Sequence, residues 1–596
     1  MKFPYAISDF REIMREGYFY CDRTDRLPLL EQGKYLLFLR PRRFGKTLLL
    51  SMLANYYDVA RGDEFGDMFG KLRIGREPTP LHNRYFILEW DFSCVDPFGT
   101  AESIRRALHD HVNSRIKRFR ARYGDWLGTE IEIDPHNAIN SVESLATAAQ
   151  MASRPVFLLI DEYDNFANEV MMGVRREKEE LYEALVYEEG PLRTLFKAVK
   201  ASTTHSLFDR IFITGVSPVV MSDITSGYNI AENMYLDEEL NDLCGLHEAE
   251  IGTAVKKIAE ECGLSDQDAD NALSLMRTYY NGYRFAADAE TPVYNPTLAI
   301  YFMKAFRKKC KYPRKMLDTN LAADEAKLRY VSRIPRGQQL LLNMMEEDYR
   351  VVISDIADRF GIQEMLTDQS GDNAFMASFL YYFGVLTMEG ETDRGELSLR
   401  VPNLVMRGLY VTRIQRMLLP EPADRDEGVT AAKALYGGGD MGPLCRFIEK
   451  RYFQVFRNRD YRWANELTVK TAFLTLLHNE LLYITDSEKE VSRGYTDLTM
   501  IVRPDMRRFD IFDVLIEFKY VSLKKAGMTG EKARNLSRKA LREIPAVNAQ
   551  MKDAEDQLRN YGDALERKYD RMRLRRYAVV SLGFERLWWK EIGRLK

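Results

Sequence analysis

The sequence predicts an α/β multidomain protein, and three observations carry that reading. "KYLLFL" (34–39) leads into a basic loop ending Gly45-Lys46-Thr47, and "TLLLSMLANYY" (47–57) then has helical length and periodicity. "RPVFLLIDEYDNF" (154–166) is an apolar run that ends in carboxylates. Near the C-terminus, "SRGYTDLTMIV" (492–502) and "DIFDVLIEFKY" (510–520) are strand-like runs interrupted by Asp497, Glu517 and Lys519.

The first observation fits a phosphate loop. A strand that turns into a helix N-terminus presents backbone N–H groups and the positive end of the helix dipole to an anion. The general pattern opens with glycine, yet Arg40 stands at that position. The rest of the loop is Pro41, Arg42, Arg43 and Phe44, followed by Gly45, Lys46 and Thr47. Gly45 allows close backbone approach, Lys46 would reach the β/γ-phosphates of ATP, and Thr47 would hold Mg²⁺.

The second observation supplies the partner acids. A strand-end carboxylate, here Asp161, would hold the same Mg²⁺, and Glu162 would polarise the attacking water. Asp164 reads as a turn former. "RIFITGVSP" (210–218) reads as a further buried strand, whose Thr214 or Ser217 would sense the γ-phosphate. "YYNGYRF" (279–285) and "VYNP" (293–296) bracket a turn at Asn281-Gly282, from which Arg284 would complete a nucleotide site.

Composition limits the alternatives. A chain of 596 residues implies roughly three or four domains. With 45% hydrophobic and 29% charged residues it reads as an ordinary globular protein. A net charge of −3 gives no global pull towards nucleic acid, so any such site must be a local patch. Runs such as Val156–Ile160 are far short of the ~20 residues of a membrane span, and Met1–Phe10 does not read as a signal peptide. Six scattered cysteines without a CxxC pair fit a reducing compartment, and the expected location is the cytoplasm.

The C-terminal observation resembles a metal-dependent phosphodiesterase site. Because strand side chains alternate, Glu517 and Lys519 share a face while Phe518 turns into the core. Asp497 and Glu517 could hold Mg²⁺ beside a phosphodiester while Lys519 orients or deprotonates water. The alternative is a buried Glu517–Lys519 ion pair that serves packing alone. "ANELTVKTAFLTLLHNELL" (464–482) adds Glu466 as a further metal-side carboxylate. "AQMKDAEDQLRNYGDAL" (549–565) places Gln557 and Tyr561 on one helical face. The segment Lys524–Arg542 carries Lys524, Lys525, Lys532, Arg534, Arg538, Lys539 and Arg542, which would neutralise the backbone of DNA.

Two resemblances follow from these residues. "ISDFREIMREGYFYCDRTDRLPLLEQGKYLLFLRPRRFGKTLLLSML", "LLIDEYD", "FITGVS", "YNGYRF" and "VYNP" resemble the AAA-ATPase-like family over roughly residues 3–300. That family's loop is similar to RPRRFGK[ST], so the absent glycine is a family habit. The resemblance implies a P-loop ATPase and places "YFYCDRTD" (18–25) near the nucleotide, with Arg40 beside or facing away from the phosphates. Over roughly 440–590 the order helix–strand–strand–helix–strand resembles the PD-(D/E)XK nuclease superfamily, with Thr496 where proline is usual. The pair Gln557 and Tyr561 resembles one of its subgroups.

The expected organisation is therefore a P-loop NTPase (AAA-like) core at 1–240 and a helical lid at 241–335. A winged-helix-like middle module at 336–435 and a restriction-endonuclease-like α/β domain at 440–596 follow. "PEPADRDEG" (420–428) and "GGGDMG" (437–442) read as linkers. The expected function is an ATPase that uses or regulates a Mg-dependent DNA nuclease; the alternative is an NTP-driven switch with a silent nuclease-like domain. No membrane is expected, and the sequence leaves the oligomeric state open, a homo-oligomer included.

Overall fold

In the computed structural model the described residues are 1–596 except 97–98, 166–189, 205–207, 224–228, 318–327, 330, 333–336, 347–348, 358–371, 459–464, 487–488, 492–493, 570–571 and 594–596. The chain forms two compact units. The N-terminal unit comprises Met1–Cys310, Ala322–Pro335 and Val351–Pro402; the C-terminal unit comprises Lys311–Leu321, Arg336–Arg350 and Asn403–Lys596.

The N-terminal unit is built on a parallel sheet of β1 (Tyr35–Leu39), β2 (Phe86–Asp91), β3 (Val156–Asp161), β4 (Phe208–Gly215) and the short β5 (Glu232–Asn233), in the order β2-β3-β4-β1-β5. β3 is buried at every position, as a strand covered on both faces must be. The order matters for function. After β1 the chain passes through α2 (Lys46–Tyr57) to the far edge of the sheet, then works back until β4 lies beside β1. The C-terminal ends of β1, β3 and β4 thus share one crevice, where parallel sheets bind ligands. Helix α1 (Phe10–Glu16) packs beside α2, and α3 (Ala101–Tyr123) lies against β2.

Helices α4 (Glu248–Glu261), α5 (Asp266–Tyr280) and α6 (Pro296–Lys309) fill the segment expected to be a helical lid. The turn between "YYNGYRF" and "VYNP" forms, with Tyr283 paired to Val293. Its Gly282 sits at φ 104°, and a side chain there would strike the Pro402 carbonyl, so glycine is required on both counts. Cys262 and Cys310, at the ends of α4 and α6, are joined in a disulfide. The sequence reading named no such pair, because partners 48 residues apart cannot be read from local spacing.

In the middle of the chain, β6 (Val351–Ile353), α7 (Asn373–Tyr382), β7 (Thr387–Glu391) and β8 (Leu397–Arg400) give a helix followed by a β-hairpin, with strand order β6-β8-β7. Of "ISDIADRF" (353–360), read from sequence as helical, residues 353–357 end β6 and form a bend instead, and 358–360 lie outside the described residues. The first stretch read as a linker is largely helical instead, since α8 spans Pro422–Gly438, while the second (437–442) covers the end of that helix and the break after it. Proline is tolerated in a first helical turn, and Gly439 stops the helix at φ 68°.

The C-terminal unit carries a mixed sheet flanked by α9 (Glu466–Leu477) and α12 (Pro545–Lys568). Its strands are β9 (Tyr483–Asp486), β10 (Leu498–Val502), β11 (Asp513–Val521), β12 (Leu574–Leu582) and β13 (Arg586–Glu591), in the order β13-β12-β11-β10-β9. β10 runs antiparallel to β11, and β12 runs parallel to it, which sets α12 as the crossover. The basic segment folds as two short helices, α10 (Gly530–Arg534) and α11 (Arg538–Arg542).

Candidate active sites

At the phosphate loop the backbone is already shaped for an anion. Gly45 lies at φ 92° and Arg43 at φ 70°, and α2 starts at Lys46. The Lys46 ammonium donates to the carbonyls of Arg40 (3.0 Å) and Pro41 (3.2 Å), so its charge is held over the loop. Thr47 Oγ1 donates to Asp161 Oδ2 at 2.7 Å, and Thr214 Oγ1 donates to Asp161 Oδ1 at 2.6 Å. Burial raises the Asp161 carboxyl above its usual range, against the pull of those two hydroxyls and of Lys46. Glu162 follows at φ 50°, an unusual conformation for a side-chain-bearing residue, in the turn where Tyr163 N–H bonds the Thr214 carbonyl. Lys46, Thr47, Asp161 and Thr214 are therefore together.

Other predicted residues are placed elsewhere. Arg40 is 1% exposed, and its guanidinium is spent on protein carbonyls: Leu39 (2.9 Å), Tyr235 (2.8 Å) and Leu240 (2.9 Å). It also stacks on Phe38 and Phe285, and burial pulls its pKa down to about 10. Its side chain is a tether for the segment after β5, which leaves only its backbone to the loop. Phe44 is buried edge-on against Tyr283 and Phe285, and Pro41 packs on Gly384. Arg42 is half-buried and makes no hydrogen bond or ion pair among the described residues.

Ser217 donates to Asp164 Oδ2 at 3.1 Å and is fully buried, so its hydroxyl turns away from Asp161. Arg284 donates to the carbonyls of Glu389 (3.1 Å) and Glu290 (3.3 Å), at the β7 hairpin. Asp164, read only as a turn former, is a completely buried clamp that also accepts from Val216 and Ser217 N–H. Nothing in the sequence separated it from its acidic neighbours. Beside Gly45 lies a cavity of about 90 Å³, lined in part by Tyr20, Cys21, Arg23, Leu48 and Cys244, so the stretch "YFYCDRTD" does adjoin the loop.

In the C-terminal unit, register explains convergence. Leu498 stands opposite Ile516, so one step outward sets Asp497 beside Glu517. Asp497 Oδ2 accepts from Phe518 N–H at 2.7 Å. Lys519 Nζ reaches Glu517 Oε1 at 3.0 Å and Asp553 at 3.8 Å. Glu517 is 3% exposed, and its second oxygen is buried without a hydrogen-bond partner. Burial, then the charge of Asp497, pushes its pKa up to about 8 despite Lys519. Glu466, at the start of α9, is raised for the same two reasons.

Tyr561 joins the group electrostatically, raised by burial and then by Glu517, and Gln557 one turn earlier has a buried, unpartnered Oε1. Lys470 was missed. It lies one turn after Glu466, is buried, and approaches Asp497 Oδ1 at 3.8 Å. A lysine within "ANELTVKTAFLTLL" carries a readable signal, since a cation on an otherwise apolar helix needs a buried partner. Among the described residues no three acidic, histidine or cysteine side chains form a ready metal cage. The donor chemistry nevertheless suits a divalent cation: Glu466, Asp497 and Glu517 repel one another, and Glu517 Oε2 has nothing to bond.

The basic segment is partly committed. Arg534 pairs with Glu585 at 3.2 Å, and Arg538 and Arg542 lie over Trp589 and Trp588. Lys524, Lys525, Lys532 and Lys539 remain exposed.

A parallel sheet with a phosphate loop, and a mixed sheet with Asp and E-x-K at adjoining strands, define an α/β protein with a P-loop ATPase-like domain and a nuclease-like domain. Residues 4–225 match the family described as predicted AAA-ATPase, and residues 464–591 match the PD-(D/E)XK nuclease superfamily. The chain is also 29% identical over 312 residues to an uncharacterised protein of Azotobacter chroococcum, an alignment covering 51% of this chain and 52% of that protein. It thus spans about half the length of the curated relative it matches.

Solved structures similar to the chain include a Walker-type ATPase of Pyrococcus abyssi, at 12% identity and TM-score 0.35, covering 69% of this chain and 98% of that one. An Aeropyrum pernix ORC2 protein aligns at 13% identity and TM-score 0.29, covering 70% and 95%. Among the described residues no helix is long and apolar enough to cross a membrane.

Proposed function

We propose that this protein hydrolyses ATP in its N-terminal unit and uses or regulates Mg-dependent cleavage of DNA in its C-terminal unit. The observation that carries the reading is the convergence of Asp497, Glu517 and Lys519 with Glu466 in a chain that also joins Thr47, Asp161 and Thr214. In the first site Lys46, freed from the Arg40 and Pro41 carbonyls, binds the β/γ-phosphates while the N-terminus of α2 supports them. The cavity beside Gly45 receives the base. Thr47 and Asp161 would hold Mg²⁺, which neutralises phosphate charge when bound. Glu162 orients the attacking water, and Thr214 keeps the Asp161 carboxylate aimed.

In the second site Asp497, Glu517 and Glu466 would hold Mg²⁺, which supplies Lewis-acid stabilisation of the phosphodiester when bound. Lys519 orients or deprotonates the attacking water, with Gln557 and Tyr561 flanking the reacting phosphate. DNA lies along the exposed lysines of the Lys524–Arg542 segment, whose positive charge offsets the backbone.

One observation favours the second reading, an NTP-driven switch with a silent nuclease-like domain. The carboxylates are internally engaged, Asp497 by Phe518 N–H and Glu517 by Lys519, as in a packing ion pair. Cleavage of single- and double-stranded DNA by the purified full chain, with Mg²⁺ and with or without ATP, separates the two. The proposal expects Mg-dependent cleavage that Asp497→Ala removes. Equal cleavage by wild type and Asp497→Ala would end the nuclease assignment.

A further inference from the structure

A second cleft, of about 580 Å³, opens in the N-terminal unit between α1, the last turns of α2, β2 and α3. It is separate from the phosphate loop. It shares no lining residue with the cavity beside Gly45, and its nearest α2 residue, Ser51, lies five residues beyond Lys46, or roughly 7.5 Å along the helix at 1.5 Å per residue.

Its charges are sorted. Arg115, Arg118 and Arg122 of α3 fall at i, i+3 and i+7, hence on one helical face, and all three line the cleft. Arg122 is paired with the buried Asp58, which also accepts from Tyr123 Oη. Arg115 and Arg118 donate no hydrogen bond and close no ion pair among the described residues. Facing the same space is Glu89 of β2, also without a hydrogen bond or ion pair from its side chain. It is open to the cleft, yet the surrounding protein raises its carboxyl above the usual range against the pull of Arg122 and Arg115.

The backbone adds a donor. β2 is the edge strand, and on its free side Ile87 N–H donates to Tyr123 Oη and Asp91 N–H to His111 Nε2. By strand alternation the Glu89 N–H between them points the same way, and no described side chain caps it. Phe119, buried beneath, gives an apolar floor.

We propose that this cleft is a second ligand site for a small molecule of the nucleoside monophosphate class. Its phosphate sits on the forked donors of Arg115 and Arg118, which match phosphate oxygens bidentately. Its base lies on Phe119 and donates an amino or imino hydrogen to Glu89. Arg11 and Arg61 on its walls pair with Glu64 and Asp9 caps α1, so the unbonded Arg115, Arg118 and Glu89 match a ligand anionic at one end and donor-bearing at the other. Solvated surface arginines are the competing explanation.

The test titrates AMP, GMP, CMP and UMP into the full-length chain carrying Lys46→Ala, by calorimetry. At least one nucleotide should bind saturably at one site per chain. Combining Arg115→Glu with Arg118→Glu should weaken that binding by about tenfold or more, the scale of losing charge-assisted phosphate contacts. Lys117→Glu, on the neighbouring surface, should change it by less than about threefold. If the double variant melts early, Arg118→Ala alone, at an exposed position, should still weaken binding measurably. Absence of saturable binding by all four nucleotides, or unchanged affinity in the folded arginine variants, overturns the proposal.

Discussion

The phosphate-loop crevice and the C-terminal carboxylate cluster both set buried acids on a sheet, yet they stand in opposite electrostatic conditions. Asp161 has each oxygen bonded to a threonine hydroxyl, at 2.7 and 2.6 Å, before any ligand arrives. Glu517 has one oxygen on Lys519 and the other buried with no partner, and its pKa is pushed to about 8. The first site is organised by neutral donors on a rigid parallel sheet, so ligand binding replaces existing hydrogen bonds. The second is organised by crowding of like charges, which a cation relieves. Preorganisation is structural in one and electrostatic in the other.

The largest expected effect lies at the frame of the first site. Arg40→Ala leaves the Tyr235 and Leu240 carbonyls unpaired and opens a void, which should cost about 3–5 kcal/mol and lower the melting temperature markedly. Lys46→Ala frees the Arg40 and Pro41 carbonyls at the loop but leaves the aromatic tether in place, so it should lower the melt less than Arg40→Ala while removing most ATP binding by calorimetry. If Arg40→Ala melts normally and loses only nucleotide, the tether is misassigned and Arg40 belongs to the phosphates.

At the second site, Asp497→Ala and Lys519→Ala should each reduce DNA cleavage by at least about a hundredfold. Their thermal melts sharpen the contrast. Lys519→Ala strands Glu517 as a buried unpaired acid and should melt lower, whereas Lys519→Ala combined with Glu517→Gln should recover part of the loss. A large melt change without any loss of cleavage would make the pair a packing device only.

Glu162→Gln should keep ATP affinity and slow hydrolysis, by about tenfold or more in a steady-state phosphate-release assay, since it retains Asp161 and Thr47 but loses the water-polarising acid. The smallest effect is expected at the DNA surface. Lys532→Ala or Lys539→Ala should weaken DNA binding only a few-fold and lower the salt-dependence slope by about one, as loss of a single phosphate contact does. Arg538→Ala should act more on stability, because Arg538 lies over Trp589.

Sequence reading reached those features that short segments encode. The strand–loop–helix around Gly45, the strand ending at Asp161 and the E-x-K strand are local patterns, and each forms where expected. What stayed hidden depends on distant partners. Sequence alone left Arg40 either beside the phosphates or facing away from them, because its acceptors lie 195 and 200 residues away. Ser217 and Arg284 were plausible by type, yet Asp164 and the Glu389 carbonyl hold them. Lys470 enters the second site only because α9 packs against β11 beside Asp497, a tertiary fact. The stretches 420–428 and 437–442 read as linkers because their prolines and glycines were taken as breaks, when Pro422 opens a helix and Gly439 ends it.

The central claim is that two separate catalytic sites act in one chain, and a paired assay on the same preparations tests it most directly. ATP hydrolysis and Mg-dependent DNA cleavage would be measured for wild type, Lys46→Ala and Asp497→Ala. The account predicts that Lys46→Ala loses ATP hydrolysis, while Asp497→Ala loses cleavage and keeps ATP hydrolysis near the wild-type rate. Loss of ATP hydrolysis in correctly folded Asp497→Ala, or wild-type cleavage by it, would contradict the account.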